Sequence, residues 1–288
     1  MKSKIQRVMS CFHHAGRSGI SGIVLLLMIS INARSLGETG ITRHDRERQQ
    51  YRDIGKRSEF NCVGRYSIST ESTDYAAGVL VSPNWVLTAA HFVQDSSVWL
   101  FGSQYYKTKR IVKHPMLEPG ASETQWEGHD LALVELEKSV LNVKPAVRYS
   151  GYSEVGTRIT KIGFGYVGNG REGMATPRMQ ERLGGNNIVE AAGGTFEGRD
   201  FSSDVLVCDF DDPNDSSANK FGSTKPLELE IGGSKGDSGG GVFIEEDGQQ
   251  MLAGIVSGAL NREIKYGSVI ALARVSSANI WIDTVLSN

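Results

Sequence analysis

Only three cysteines occur in the 288-residue chain, and one of them, Cys11, lies in a basic and apolar leader. A densely disulfide-stapled scaffold is thereby excluded. Cys62 and Cys208 remain, with two readings open: one disulfide in an exported protein, or two buried thiols packed as small apolar groups. An excess of one charge is missing too. Lysine and arginine number 31 against 33 acids; without the four basic residues of 1–33 the balance is 27 to 33, or −6. A mildly acidic body offers no footprint for nucleic acid or an anionic membrane. Beyond residue 33 no apolar run approaches the ~18 residues of a membrane span. Proline is sparse at 7 while glycine reaches 34, a balance that fits short strands and tight turns. At 39% hydrophobic and 22% charged residues, the composition is that of a soluble globular protein.

The N-terminus reads as a secretory signal peptide over 1–33. Lys2, Lys4, Arg7 and Arg17 form a basic region, Ile20 to Ile31 an apolar core, and Asn32-Ala33 a small-residue cleavage site. A membrane anchor competes with this reading, but the core is too short. The expected location is secreted or periplasmic, with no membrane attachment once the signal is removed. Residues 34–60 are charged, as in Arg43-His44-Asp45-Arg46-Glu47-Arg48. They are expected to be a propeptide or an exposed N-terminal arm.

Short apolar runs broken by Gly, Pro, Asn and Asp follow. Gly78-Val79-Leu80-Val81 and Trp85-Val86-Leu87-Thr88 flank Ser82-Pro83-Asn84. Val242-Phe243-Ile244 and Leu252-Ala253-Gly254-Ile255-Val256 flank a turn containing Asp247-Gly248, a hairpin signal. Strands at this spacing suggest a sandwich or a barrel, and periodicity does not choose between them. Near the end, Ile280, Trp281, Val285 and Leu286 recur at helical spacing, with Ser276 or Ser277 as the expected N-cap.

Gly236-Asp237-Ser238-Gly239-Gly240 sets a serine among glycines that leave it reachable. It fits both the Gly-x-Ser-x-Gly elbow of α/β-hydrolases and the Gly-Asp-Ser-Gly-Gly loop of trypsin-like proteases. The elbow needs a histidine after the serine. The last histidine here is His129, so the elbow fails. The other order is His, Asp, Ser. It is met by His91, closing Trp85-Val86-Leu87-Thr88-Ala89-Ala90-His91; by Asp130, opening Asp130-Leu131-Ala132-Leu133-Val134-Glu135-Leu136; and by Ser238. Over roughly residues 41–288 the chain resembles the trypsin/chymotrypsin-like serine endopeptidases, in detail the secreted bacterial members.

That resemblance implies an all-β fold of two antiparallel Greek-key β-barrels, over 61–148 and 149–288, with a C-terminal helix on the second. His91 and Asp130 would come from the first barrel and Ser238 from the second. His91 would act as base, Asp130 as its orienting acid, Ser238 as nucleophile, and the N–H groups of Gly236 and Ser238 as oxyanion hole. Asp237 would pair with a newly cut N-terminal amine, for which Gly40-Ile41 is the nearest analogue. Gly232, Gly233, Ser234, Lys235, Ser257, Gly258 and Ala259 would wall the primary substrate pocket, with Gly232 at its base and Ser257 also bonded to Asp130. Relatives often carry cysteines where Phe92 and Ser234 stand, and an aromatic residue where Gly258 stands.

Other signals weigh less. His114 and His129 are decoys for the base. Gly163-Phe164-Gly165-Tyr166-Val167-Gly168 fits Gly-x-Gly-x-x-Gly but opens no helix, so it reads as a hairpin turn. The acidic run 209–215 lacks the EF-hand glycine and terminal glutamate and reads as a solvated loop. No cofactor or metal is expected, and the partner is a protein or peptide substrate met by a monomer. The alternative function is a protease-fold binding protein or adhesin without turnover; such proteins typically lose a triad member.

Overall fold

Turn chemistry decides where the strands end. In the computed structural model, which describes residues 40–72, 75–117, 124–175, 181–261 and 264–288, Pro83-Asn84 closes one hairpin and Asp247-Gly248 another. Asp247 (φ +50°) and Gly248 (φ +75°) are both left-handed, as a two-residue hairpin turn requires. The expected signal peptide lies outside the described residues.

Six strands close the first barrel: Val63–Ser67, Tyr75–Ser82, Trp85–Thr88, Val98–Phe101, Gln104–Lys113 and Ala132–Leu136. The first three are sequential neighbours; the chain then crosses so that Val98–Phe101 pairs with Val63–Ser67 and Ala132–Leu136 with Trp85–Thr88. Val79, Leu80, Val86, Leu87, Trp99, Leu133 and Val134 are fully buried, consecutive ones on opposite faces of its wall.

The second half is an eight-stranded sheet, seven strands of it in an antiparallel path and one short strand off that path. Its order is Leu183–Ile188, Arg158–Gly163, Gly241–Glu246, Gln249–Ala259, Val269–Arg274, Arg199–Asp209 and Ala191–Phe196. The sheet rolls on itself: Glu190 N–H donates to the Val207 carbonyl (2.8 Å) and Asn187 Nδ2 to that of Asp209 (2.7 Å). The two-residue strand Val147–Arg148 pairs in parallel with Met251–Leu252, so it belongs here and not to the first barrel as the 148/149 division expects.

The N-terminal segment is not an exposed arm over its described part. Gly40–Thr42 is a strand and Arg48–Lys56 a helix, with Ile41, Tyr51 and Phe60 fully buried. Three such burials, at about 1.5–3 kcal/mol each, outweigh the polar sequence around them. Tyr51 and Gly55, four residues apart, form the buried face of that helix.

The closing helix runs Val275–Leu286. Arg274, not Ser276 or Ser277, is its N-cap residue, because Ser276 Oγ is turned to Glu154 (2.8 Å). Trp281, Val285 and Leu286 pack on the core, while Ile280 is exposed and Ile282 takes the buried place. Arg274 pairs with fully buried Glu154 and anchors the helix start. Cys62 and Cys208 are free, buried thiols, so packing holds the two halves.

Candidate active site

Strand pairing brings the first two site residues together. Thr88 and Ala132 are directly opposed at matching strand ends. His91 lies just past one end and Asp130 just before the other. Asp130 is fully buried. Its Oδ1 accepts the His91 backbone N–H (2.8 Å) and its Oδ2 lies 2.7 Å from His91 Nδ1. Ser257 Oγ donates to the same Oδ2 (2.5 Å). Burial alone would push the Asp130 carboxyl up; the His91 hydrogen bond and charge and the Ser257 hydroxyl outweigh it, holding the group below the usual carboxylate value.

Ser238 is delivered from the other half. Its carbonyl accepts Ala77 N–H (2.9 Å), and Gly239 N–H donates to Val256 (2.7 Å). Gly239 sits at φ +78°, and a Cβ there would lie 2.0 Å from the Ala77 carbonyl oxygen. Only glycine permits this approach. Ser238 Oγ then stands 3.1 Å from His91 Nε2. Gly236 sits at φ +89°, in the left-handed region that glycine enters freely. Neither the Gly236 nor the Ser238 N–H donates to another described residue.

Asp237 is held elsewhere than the resemblance implies. Its Oδ2 lies 2.6 Å from Lys161 Nζ, and both side chains are almost wholly buried (3% and 2% exposed). Gly165 N–H donates to Oδ1 (3.0 Å), and Ser234 donates to Oδ2 through N–H (3.0 Å) and Oγ (3.1 Å). Gly40-Ile41 supplies no amine; it runs as a strand between Val167–Asn169 and Ile231–Gly232. Removing either partner of the Lys161–Asp237 pair alone would leave an uncompensated buried charge, at about 3–5 kcal/mol. The Gly163-x-Gly165 signal acquires a reason here. A Cβ on either glycine would fall 2.5 Å from Asp237 Oδ1.

A cavity of about 380 Å³ opens beside Ser238. Of the expected wall, Gly233, Ser234, Lys235, Gly258 and Ala259 line it. Gly232 does not form its base; it is buried behind the wall, where a Cβ would press 2.7 Å from the Phe210 ring. Ser257 is likewise absent from the lining, being 5% exposed and turned to Asp130. Sequence reasoning missed Val256, Asn261, Ile264, Ser268 and Ile270. Ile270 packs beside Gly233 in the cavity wall (3.2 Å to a Cβ placed there). Ser268 Oγ is buried there with no hydrogen-bond partner among the described residues. Beside Gly258, where relatives carry an aromatic ring, the Gln125 side chain lies against the backbone and its Nε2 reaches the Ala259 carbonyl (3.4 Å).

His114 and His129 stack on each other (5.0 Å between centroids), and His114 meets Trp281 edge-on (4.9 Å). In the acidic run, Asp212 and Asp215 accept the N–H groups of Asn214 and Ser217 as turn caps. Among the described residues no cluster has the makings of a metal site, and no helix is long and apolar enough to cross a membrane.

The trypsin family model matches residues 54–282. The chain belongs to the trypsin family. A trypsin of Simulium vittatum is 35% identical over 83 residues, covering 25% of this chain and 32% of that protein; the match spans about a third of that relative's length. Among solved structures, neuropsin, a serine protease expressed in the limbic system of mouse brain, superposes with a TM-score of 0.56 at 20% identity. That likeness covers 81% of this chain and 97% of neuropsin, and it is one of fold. Where the sequence resemblance implies a freed N-terminal amine beside Asp237, this chain has an internal lysine.

Proposed function

We propose that the chain is a serine endopeptidase working through an acyl-enzyme. One observation carries this: the His91 ring bridges Asp130 Oδ2 (2.7 Å) and Ser238 Oγ (3.1 Å). His91 Nε2 takes the hydroxyl proton as Ser238 Oγ attacks the scissile carbonyl. The carbonyl oxygen becomes an oxyanion met by the N–H groups of Gly236 and Ser238. His91 returns the proton to the leaving amine, and water then releases the acyl group by the same relay. Asp130 holds the ring's tautomer and balances its charge throughout. The ladder between 241–246 and 249–259 ends at Gly241↔Ile255. Beyond it the edge of Ser257–Ala259 is left for a substrate strand to join.

The cavity favours apolar or small side chains on the acyl side of the cut bond. Lys235 is its only charged residue among those described, and Ile270 narrows it. A buried basic side chain would meet no carboxylate of the described residues there, whereas an apolar one gains about 1.5–3 kcal/mol on burial. A fluorophosphonate probe should label Ser238 in the wild type and leave Ser238→Ala unlabelled. Absence of labelling in folded protein removes the reading. A peptide library digested by the labelled preparation should be cut after apolar or small residues; dominant cuts after Lys or Arg overturn the specificity. Export follows from the leader sequence, and appearance of the protein outside the producing cell's cytoplasm tests it.

A further inference from the structure

Between Asp237 and the two N–H groups it controls there is no room for slack, because Asp237 separates Gly236 from Ser238 in sequence. Whatever anchors the Asp237 carboxylate therefore orients both donors. The anchor is Lys161 Nζ, 2.6 Å away and delivered from the middle of the strand Arg158–Gly163. That strand lies between Leu183–Ile188 and Gly241–Glu246, so its position is set by hydrogen bonds on both edges. The Lys161 side chain is 2% exposed and Asp237 is 2% exposed, so water does not screen the attraction.

A second path leads to the same loop. Gly40 N–H donates to the Tyr166 carbonyl (2.7 Å), and Tyr166 N–H donates to the Lys235 carbonyl (2.8 Å), one residue before Gly236. The chain then continues as a strand, with Ile41 opposite both Gly168 and Gly232. Arg43 fastens its exit to Asp45 (2.7 Å) and to the Leu227 carbonyl (2.6 Å). The Gly40 nitrogen is thus a peptide donor inside a sheet.

We infer that Lys161 is a positioning residue that sets the oxyanion-hole donors through Asp237, and that the site assembles with no free chain end. Cleavage before Gly40 is then not a condition of turnover, and no cut after it is tolerated without loss of the strand. The inference rests on the serine-endopeptidase reading, and its tests begin from protein whose Ser238 already takes a fluorophosphonate.

Two measurements decide it. In the first, Lys161→Met and Lys161→Arg are compared with wild type by kcat per titrated Ser238. Met should lower kcat by about 10²–10³-fold, the loss typical of an oxyanion donor, with KM changed only a few-fold. Arg, which keeps the charge, should recover to within about tenfold. A role confined to stability would instead lower the melting temperature and the titre and leave kcat per site alone. In the second, which needs no variant, the α-amine of the purified chain is carbamylated at near-neutral pH and the N-terminus is read by mass spectrometry. Activity per titrated Ser238 within about twofold of the untreated protein supports the inference. Wild-type kcat in Lys161→Met overturns it. So does a fall in kcat per remaining fluorophosphonate-titrated Ser238 on carbamylation, or an active fraction made up only of chains beginning at Gly40 or Ile41.

Discussion

Two sets of buried carboxylates divide the second half of this molecule from its cleft. In the cleft, Asp130 and Asp237 each face a nitrogen base: His91 Nδ1 at 2.7 Å and Lys161 Nζ at 2.6 Å. Behind the pocket wall, Glu190, Asp209, Asp211 and Glu230 have no ion pair among the described residues. Asp209 accepts the N–H groups of Lys220 and Phe221, Glu230 those of Asp211 and Leu227, and Asp211 the Asn219 amide. Burial, with mutual repulsion, pushes Glu230 up to about 8, Glu190 to about 7 and Asp211 to about 6. The contrast separates two uses of a buried acid. Where chemistry needs a fixed negative charge, a partner holds it. Where no cation faces the acid, burial outweighs its hydrogen bonds and the proton is held more tightly.

The strongest way to break the contrast is to remove the charge that chemistry needs. Asp130→Asn leaves the packing but offers an amide to His91 Nδ1, which favours the wrong tautomer. We expect kcat to fall about 10⁴-fold, the figure for the same change in a chymotrypsin-type triad. Active-site-titrated kinetics measure it, and a loss below tenfold would detach Asp130 from the mechanism. A milder cut removes one of its supports. Ser257→Ala deletes the donor to Asp130 Oδ2 but spares both His91 contacts. We expect kcat to fall about 3–10-fold, consistent with one hydrogen bond to a charged group weakened by compensation. The carboxyl should also titrate higher. Asp130 is held below its unfolded value, so its stability is present above that value and lost as pH falls through the folded one. The acid-side loss of folding should therefore begin at higher pH in the variant; coincident acid-unfolding curves would refute the support role.

How far these features could be read from sequence follows from the range of the interactions. His91, Asp130 and Ser238 sit in local runs whose spacing and order carry the signal, and the structure brings all three together. The hairpin at Asp247-Gly248 was legible because left-handed turns demand such residues. Lys161 was not: Arg158-Ile159-Thr160-Lys161-Ile162 has no clean apolar/polar alternation to mark a buried lysine, and its partner is 76 residues away. The glycines at 163 and 165 were visible, but they pointed to a turn until Asp237 was seen between them. Ile270 enters the pocket from a strand paired to its wall and Ser268 from just before that strand, a tertiary fact with no sequence period. The 40–60 segment misled through composition. Tyr51 and Gly55 at helical spacing were the available hint, outvoted by the charges between them.

The smallest expected effect tests the other side of the contrast. Glu190 has no hydrogen bond to its carboxylate among the described residues, and a Cβ on Gly222 would fall 1.8 Å from its Oε2. Its folded value of about 7 stands above the ordinary 4.5, through burial first and then the charges of Asp209 and Asp211. The folded chain therefore binds this proton more tightly than the unfolded one. The stabilisation is complete below the unfolded value and drains away as pH rises between about 4.5 and about 7. Glu190→Gln is neutral throughout and should be insensitive to this window. Measured by urea unfolding in a Ser238→Ala background, which prevents self-digestion, the variant should match its parent near pH 5. At pH 8 it should be more stable by on the order of 1 kcal/mol, a figure discounted for partial solvent screening. Taking the difference between the two proteins cancels the opposing pH dependence of Asp130. If the difference stays flat from pH 5 to 8, Glu190 is ionised without cost, and the division between partnered and proton-held acids does not extend to it.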